Sequence, residues 1–236
     1  MGRVPRPVVT RMVEDYLTLV WKAYEWPGGE PSTTDLAEQL GVTPSTVSAN
    51  LKKLARDGFL AYEPYGRIEL TEAGREVAVA IVRRHRLVET YLVQQLGLGW
   101  DEVHDEADSL EHAVSDLVLA RMDAVLGHPV ADPHGDPIPA PDGSVPADDT
   151  VSLVDAEAGA LASVARVSDR SPELLRHLES RRIVVGAPLR VVSVAPAAGA
   201  VEVLLWGGTD GAASGGERVE LSLVAAAAIR LRAREA

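Results

Sequence analysis

The stretch TDLAEQLGVTPSTVSANL, residues 34–51, predicts two short helices joined by a tight turn. Apolar side chains recur at helical spacing on both sides of Gly41, a residue that tolerates a left-handed backbone at a turn. The sequence Thr43-Pro44-Ser45 is typical of the start of the second helix. This arrangement is a helix-turn-helix, a unit that can place its second helix in the major groove of DNA.

The flanking segments extend this unit to a winged helix-turn-helix. Residues 8–25 have an amphipathic pattern that predicts a preceding helix. Phe59–Tyr62 and Arg67–Leu70 are predicted as two short strands around Pro64-Tyr65-Gly66, which together form a hairpin wing. We therefore assign residues 1–76 to a DNA-binding domain.

The second helix of this unit begins with small polar side chains, close to the N–H groups that favour phosphate at a helix N-terminus. Asn50 can pair with adenine, and Ala49 can touch a thymine methyl group. The predicted DNA contacts are Thr43, Ser45, Thr46, Ser48, Ala49, Asn50, Lys52 and Lys53. The structural alternative is a plain helical hairpin with a capped second helix.

The net charge of −12 is unusual for a DNA-binding protein, so its distribution along the chain matters. Residues 81–146 carry 12 acidic against 4 basic residues, whereas no acid occurs between Glu38 and Asp57. A locally basic face can bind phosphate even on an acidic protein. The acid-free window, which contains Lys52 and Lys53, is therefore compatible with DNA binding.

The composition excludes several kinds of site. There are no cysteines, which excludes disulfides, thiolate zinc sites and cysteine nucleophiles. No segment approaches the roughly 20 apolar residues that span a bilayer, and nothing resembles a signal peptide. We expect a cytoplasmic protein with no membrane partner.

Beyond the wing, the sequence predicts a mostly α protein with small β parts. A long helix is expected from Glu72 to about Gln95, and one or two further helices within residues 100–125. Residues 127–150 have the composition of a linker or an ordered loop.

The C-terminal part has a different pattern. Alternating segments at 189–194 and 201–205 predict strands, and a short helix at 172–178 precedes them. We expect these elements to form a small β-barrel.

Histidines and carboxylates are concentrated in the stretch HDEADSLEH, residues 104–112. On a helix, four of these side chains would share one stripe, because they lie three or four residues apart. They are His104, Asp108, Glu111 and His112. A solvated acidic helix face is the simpler interpretation of the same pattern.

Two further observations favour a metal site. His85 and Glu89 form another i, i+4 pair, on the long helix. Leu110 and Val114 indicate that part of the 104–112 stripe faces inward, where packed carboxylates repel unless a cation or histidine neutralises them.

These motifs resemble those of the diphtheria toxin repressor family of iron- and manganese-dependent regulators. The resemblance rests on EDYL at 14–17, HRLVE at 85–89, HDEADSLEHAVSD at 104–116 and GDPIP at 135–139. It covers nearly the whole chain and weakens after residue 150. It implies a homodimer with the winged helix-turn-helix described above, a helical metal-binding and dimerisation domain at 77–146, and an SH3-like domain at 147–236.

The resemblance also implies two metal sites per subunit. The regulatory site would use Asp15, Asp108, Glu111 and His112. The ancillary site would use His85, Glu89 and His104. In some members a residue of the C-terminal domain completes the ancillary site. Asp169 and Glu173 lie in the right region, and the sequence decides neither between them nor against a C-terminal domain that only packs or regulates.

The identity of the metal follows from two positions in this pattern. Iron-sensing members carry a thioether and a thiol where this chain has Asp15 and Asp108. Hard carboxylate oxygens shift the preference toward Mn²⁺, so we expect Mn²⁺ as corepressor, with Fe²⁺ as the alternative. Thr18 replaces an acid that some manganese regulators use for a two-metal cluster, which argues against that cluster. The implied function is metal-dependent repression at a palindromic double-stranded operator.

Two other function classes fit parts of the sequence. A metallohydrolase could use the His/Asp/Glu cluster to activate water, but no nucleophile or oxyanion motif accompanies the cluster. A metal-independent regulator could bind a small ligand in its C-terminal domain. We expect that the protein is not an enzyme.

Overall fold

The computed structural model describes residues 9–26, 29–63, 66–206 and 216–234, which form two compact units. Unit 1 comprises Met1–His85 and Pro139–Ser144, and unit 2 comprises Arg86–Ile138 and Val145–Ala236. Pro64 and Tyr65, the predicted tip of the wing, lie outside the described residues.

Unit 1 contains three helices, a β-hairpin and the first part of a long fourth helix. The elements are α1 (Arg11–Tyr24), α2 (Thr33–Gln39), α3 (Pro44–Arg56), β1 (Leu60–Tyr62), β2 (Ile68–Leu70) and α4 (Glu72–Leu96). Strands β1 and β2 pair in antiparallel fashion. The predicted winged helix-turn-helix is therefore confirmed.

Local chemistry explains where α3 begins. The Thr43 side chain accepts a hydrogen bond from the Thr46 N–H, so one of the unpaired donors of the helix N-terminus is satisfied. Gly41 has a φ of +63°, a left-handed conformation that suits glycine, and lies in the turn before α3. The inner face of α3 is apolar and fully buried, with Val47, Leu51 and Leu54 in the core of unit 1.

Unit 2 contains the second part of α4, two short helices and a C-terminal sheet. The helices are α5 (Val103–Leu110) and α6 (Asp116–Val125). Val88 and Leu92 of α4 pack against Val103 and Ala107 of α5 in a small core.

The predicted helical stripe through His112 is wrong at its C-terminal end. Helix α5 ends at Leu110, and the Ala113 N–H then bonds to the Leu110 carbonyl with the tighter i→i−3 spacing of a turn. Glu111 is the C-cap and His112 lies in the turn. Leu110 does not face inward either, since it is 36% exposed.

The C-terminal part of unit 2 is an antiparallel sheet with strand order β3-β8-β4-β5-β6-β7. Its elements are β3 (Val151–Ser152), β4 (Leu161–Val167), α7 (Pro172–Ser180), β5 (Pro188–Ala195), β6 (Ala200–Leu205), β7 (Glu217–Ser222), α8 (Leu223–Ala227) and β8 (Ile229–Ala233). The predicted small β-barrel is wrong in one respect for the described residues: the sheet does not close, because β3 and β7 remain its edges. Strand β3, with two residues, is too short to pair along a second neighbour.

The connection between α6 and β3 contributes buried side chains to unit 2. Asp132, His134, Asp136 and Ile138 are all buried, while the residues between them are only partly so. This alternation places three ionisable side chains inside the unit.

Among the described residues, no helix is long and apolar enough to cross a membrane.

Candidate metal centres and DNA-binding surface

His104 on α5 lies in a group of side chains in unit 2 that are typical metal ligands. Its Nδ1 atom is 3.2 Å from Glu89 Oε1 on α4 and 3.3 Å from Asp169 Oδ2, which follows β4. Glu89 is buried and His104 is about one-third exposed. One imidazole nitrogen and two carboxylates form a donor set that hard divalent cations bind.

Of the two candidate residues of the C-terminal domain, Asp169 and Glu173, the structure places only Asp169 next to His104. Asp169 contacts His104, whereas Glu173 is exposed on the first turn of α7. His85 lies one helical turn before Glu89 on α4 and is buried, with its Nε2 atom 3.4 Å from Lys22 Nζ in unit 1.

The predicted regulatory ligands are distributed over both units. In unit 2, His112 Nε2 is 3.0 Å from Glu111 Oε1, and both side chains are largely buried. Asp108 is 54% exposed, with its Oδ2 atom 3.8 Å from His104 Nε2. Asp15 lies on α1 in unit 1 and is partly buried.

Two buried residues of the types that bind metals, Asp132 and His134, are not among the metal ligands predicted from the sequence. Together with Glu89 they offer ligand atoms that lie within 4.8 Å of one another. Burial and the nearby carboxylates of Asp136 and Glu89 raise the pKa of Asp132 to about 8, against the opposing effect of the Arg86 guanidinium. Burial alone would lower the pKa of His134, but the facing carboxylates, Glu89 first among them, raise it above its ordinary value.

The backbone around His134 explains how these side chains enter the interior. Gly135 has a φ of +85°, and a Cβ atom there would lie 2.0 Å from the Ala165 carbonyl oxygen. Only glycine permits this close approach to β4. The His134 carbonyl accepts a hydrogen bond of 2.8 Å from the Val167 N–H, which fixes the segment against the sheet. Gly135, the first residue of the GDPIP motif, is therefore the residue from which this packing could have been predicted.

A buried ionic network links α4 to the C-terminal sheet in unit 2. Arg86, which is 1% exposed, lies 3.5 Å from Asp132 and 3.3 Å from Asp136. The other oxygen of Asp136 accepts a hydrogen bond of 2.7 Å from Arg166 Nε on β4. Arg166 also donates to Asp148 at 2.9 Å. Each guanidinium group therefore lies next to two carboxylates, and these contacts offset part of the cost of burying ionic groups.

The predicted DNA-binding side chains lie on or next to α3. Thr43, Ser45 and Thr46 are exposed and hydrogen-bond to one another at the helix N-terminus. Ala49, Lys52 and Lys53 are also exposed. Two further predicted contacts, Asn50 and Ser48, lie next to tyrosines of unit 1. Asn50 donates to Tyr16 Oη at 3.0 Å, and Ser48 Oγ lies 3.5 Å from Tyr62 Oη.

Three family models match the chain in succession. Residues 8–68 match the iron dependent repressor N-terminal DNA-binding domain, and residues 71–140 match the iron dependent repressor metal binding and dimerisation domain. Residues 151–233 match the FeoA domain.

Curated relatives agree with these matches. The iron-dependent repressor IdeR of Mycobacterium tuberculosis is 41% identical over 126 residues, which are 53% of this chain and 54% of that protein. The chain thus spans about half the length of the curated repressors that it matches. An uncharacterised helix-turn-helix type transcriptional regulator of Methanocaldococcus jannaschii is 40% identical over 114 residues, 48% of this chain and 91% of that protein.

Solved structures extend the similarity to the C-terminal part. A manganese-dependent transcriptional repressor in complex with manganese has 44% sequence identity and a TM-score of 0.86, covering 94% of this chain and all of that chain. The manganese regulator SloR has 29% identity and a TM-score of 0.76, covering 94% of this chain and 98% of that one. On its domain matches, its relatives and its fold, the chain belongs to the diphtheria toxin repressor family.

Proposed function

We propose that the protein is a manganese-dependent transcriptional repressor that acts in the cytoplasm as a homodimer on palindromic operator DNA. The observation that carries this proposal is the His104 group, in which ligand-type side chains of two helices and of the C-terminal part meet. A donor set of this kind, in a chain with a winged helix-turn-helix, favours a metal-responsive regulator over a metallohydrolase.

The choice of Mn²⁺ rests on the chemistry of the assigned ligands. All of them donate nitrogen or oxygen, and the chain contains no cysteine. Carboxylate-rich sites suit Mn²⁺, whereas sulfur ligands favour softer ions. The similarity to repressors named as manganese-dependent agrees with this choice, and the curated relatives named as iron-dependent make Fe²⁺ the second candidate.

We assign Asp15, Asp108, Glu111 and His112 to the regulatory site, and His85, Glu89, His104 and Asp169 to the ancillary site. Asp15 is part of the DNA-binding domain, and the other three regulatory ligands are part of the dimerisation domain. A cation held by all four would fix how the paired recognition helices are spaced for the operator half-sites. Binding of metal and binding of DNA would then be thermodynamically linked.

The homodimer is supported by exposed apolar side chains in the helical part of unit 2. Leu117 and Val125 on α6 are 69% and 63% exposed, and Val118 is 45% exposed. A cluster of exposed apolar residues on one short helix is typical of a surface that a partner covers. In this proposal the partner is a second copy of the chain.

The test is operator binding measured by fluorescence anisotropy, with a duplex selected from a random library in the presence of Mn²⁺. We expect saturable binding that depends on Mn²⁺ and is lost on chelation. Binding that is equally tight without any metal would favour the metal-independent regulator. No binding at any metal concentration, together with Mn²⁺-dependent hydrolysis, would favour the metallohydrolase.

The metal preference is tested by Asp108→Cys, which replaces a hard oxygen with a soft sulfur. We expect the ratio of Fe²⁺ or Zn²⁺ response to Mn²⁺ response to rise in the anisotropy assay, by about tenfold. Asp105→Cys, an exposed position three residues earlier on α5, is the control. An unchanged ranking in Asp108→Cys would contradict the hard-ligand argument.

A further inference from the structure

Asn50 occupies a boundary position on α3, between the exposed and the buried side of the helix. Residues three and four positions apart on a helix lie on the same side. Of the neighbours of Asn50 at this spacing, Thr46 and Lys53 are exposed, whereas Val47 and Leu54 are fully buried. The Asn50 side chain itself is half-buried. It therefore borders the row of predicted DNA contacts and also reaches the interior of unit 1.

A tyrosine of another helix holds the Asn50 amide. Asn50 Nδ2 donates a hydrogen bond of 3.0 Å to Tyr16 Oη on α1, which stands 34 positions earlier in the chain. Tyr16 is 2% exposed, and its ring packs in the apolar core of unit 1. A ring in a close-packed core has little freedom to move, so its hydroxyl oxygen is an acceptor in a fixed position. The contact thus restricts the orientation of the Asn50 amide before any DNA is bound.

The remaining groups of this amide match one base. An asparagine amide has two N–H donors and one oxygen acceptor. Within the described part of the chain, the Asn50 side chain makes one hydrogen bond, the one to Tyr16. The second Nδ2 hydrogen and Oδ1 therefore remain for a ligand. In the major groove, adenine presents an acceptor, N7, beside a donor, the N6 amino group, and this pair complements the two groups.

The hydroxyl side chains at the start of α3 are held in a different way. Thr43 Oγ1 lies 2.8 Å from Ser45 Oγ and 3.0 Å from Thr46 Oγ1, so these hydroxyls bond to one another at the helix N-terminus. Such groups suit phosphate, which carries no sequence information. Asn50 differs because a buried side chain from outside α3 fixes its amide. A side chain that is fixed before binding loses less freedom when the partner arrives.

We propose that Tyr16 is a positioning residue for base recognition, whose hydroxyl fixes the Asn50 amide so that Oδ1 and the second Nδ2 hydrogen bind one adenine in each operator half-site. This role rests on the proposed function, in which α3 enters the operator. It extends the determinants of sequence specificity to a buried residue of α1 that does not itself contact DNA.

The experiment measures operator binding at saturating Mn²⁺ by fluorescence anisotropy, with the selected duplex and with duplexes in which each base pair of both half-sites is changed in turn. Asn50→Ala identifies the base pair that this residue reads. We expect it to reduce discrimination at one A·T pair of each half-site by at least about fivefold. Discrimination at the other base pairs should stay as in the wild type.

Tyr16→Phe then tests the positioning role, because it removes the hydroxyl and keeps the ring in the core. We expect it to reduce discrimination by at least about threefold at the same A·T pair, since the amide is then free to rotate. The slope of log affinity against log salt should not change, because Tyr16 is buried and provides no phosphate contact.

Tyr24→Phe is the matched control. Tyr24 also lies on α1, and its hydroxyl donates a hydrogen bond of 2.9 Å to the Ile68 carbonyl oxygen on β2. The control therefore loses a hydroxyl and a hydrogen bond within unit 1, but not one to α3. It should keep the discrimination of the wild type at every base pair, and circular dichroism checks that both variants are folded.

A double variant separates positioning from an independent effect. If Tyr16 acts through Asn50, Tyr16→Phe has nothing further to remove once Asn50→Ala is present. The double variant should therefore discriminate at the A·T pair as Asn50→Ala alone does. A further loss of discrimination there would overturn the proposal.

Three other results would overturn it as well. Asn50→Ala could leave all base pairs equally discriminated, or relax a G·C pair, and either outcome would exclude the contact to adenine. Tyr16→Phe could weaken binding to all duplexes alike, which is the result of a role in packing alone.

This proposal and the proposed function fail separately. Operator binding that does not respond to Mn²⁺ would reject the proposed function, yet an A·T pair relaxed by both Asn50→Ala and Tyr16→Phe would still support the positioning role. Binding that responds to Mn²⁺, with unchanged discrimination in Tyr16→Phe, would keep the function and reject the role of Tyr16. Absence of operator binding under all conditions would reject both.

Discussion

An ion pair of unit 1 and an ion pair of unit 2 lie in opposite environments. In unit 1 the pair Arg67–Glu30 lies at the surface, with side chains 70% and 58% exposed. Unit 2 has exposed pairs as well, but its Arg86 is 1% exposed and faces the buried Asp132 and Asp136. Surface pairs contribute little to stability, whereas buried charges are costly when a partner is lost.

This difference between surface and buried ion pairs matters for function, because the positions of the assigned metal ligands depend on the charges around them. The DNA-binding unit needs a stable frame for α3, and an apolar core of ordinary residues such as Leu51 and Leu54 supplies it. The metal-binding unit must hold carboxylates in fixed positions against their mutual repulsion. Arg86 and Arg166 contribute to this by neutralising Asp136, which lies between them.

The largest expected effect is on the stability of unit 2. Arg86→Met should lower the free energy of unfolding by about 3–5 kcal/mol, because it removes the guanidinium beside buried Asp132 and leaves Asp136 with Arg166 alone. The measurement is urea unfolding of the metal-free protein, followed by circular dichroism and by tryptophan fluorescence.

The matched control is the same substitution at the surface of unit 1. Arg67→Met should cost less than about 1 kcal/mol, since its partner Glu30 stays solvated. Adding Asp136→Asn to Arg86→Met should recover part of the loss. Equal losses in Arg86→Met and Arg67→Met would mean that the contrast between the units is energetically unimportant.

A smaller effect is expected on metal affinity at the ancillary site. Asp169→Ala should weaken Mn²⁺ binding there by at least about tenfold, because it removes a carboxylate 3.3 Å from His104. Glu173→Ala, four residues later and exposed, should change the affinity less than twofold. Isothermal titration of both variants checks this, and the reverse ranking would assign the ligand to Glu173.

The smallest expected effect is on DNA binding by the basic end of α3. Lys52→Gln should weaken operator binding at all sequences alike and reduce the slope of log affinity against log salt by about 0.9, the value of one lost phosphate contact. Arg218→Gln, an exposed change in the C-terminal sheet, should leave the slope unaltered. An unchanged slope in Lys52→Gln would exclude it from the phosphate contacts.

The sequence predicted unit 1 well because its signals are local. The N-cap residue Thr43, the turn residue Gly41 and the helical spacing of Leu51 all act within a few residues of where they stand. The strands at 189–194 and 201–205 followed from alternation in the same way. The sequence analysis extended α5 through His112, whereas the helix ends at Leu110. The turn that follows depends on backbone hydrogen bonds, and no residue type in this stretch predicts them.

The sequence could not predict which ligand-type residues of unit 2 meet Glu89 and His104, because these contacts join positions distant in sequence. Asp169 lies 65 positions after His104, and only the tertiary structure of unit 2 brings them together. Asp132 and His134 stand in a proline- and glycine-rich segment without periodicity, a composition that predicts exposure. Gly135 was the one local signal, and its meaning required the neighbouring strand β4.

The central claim is that metal binding controls DNA binding through Asp15, and one comparison tests it most directly. Operator binding of Asp15→Ala and of Asp35→Ala, an exposed control on α2, is measured by anisotropy across a Mn²⁺ titration. We predict that Asp15→Ala remains a folded dimer but loses the Mn²⁺-dependent binding, while Asp35→Ala keeps it. A normal Mn²⁺ response in Asp15→Ala would contradict the account.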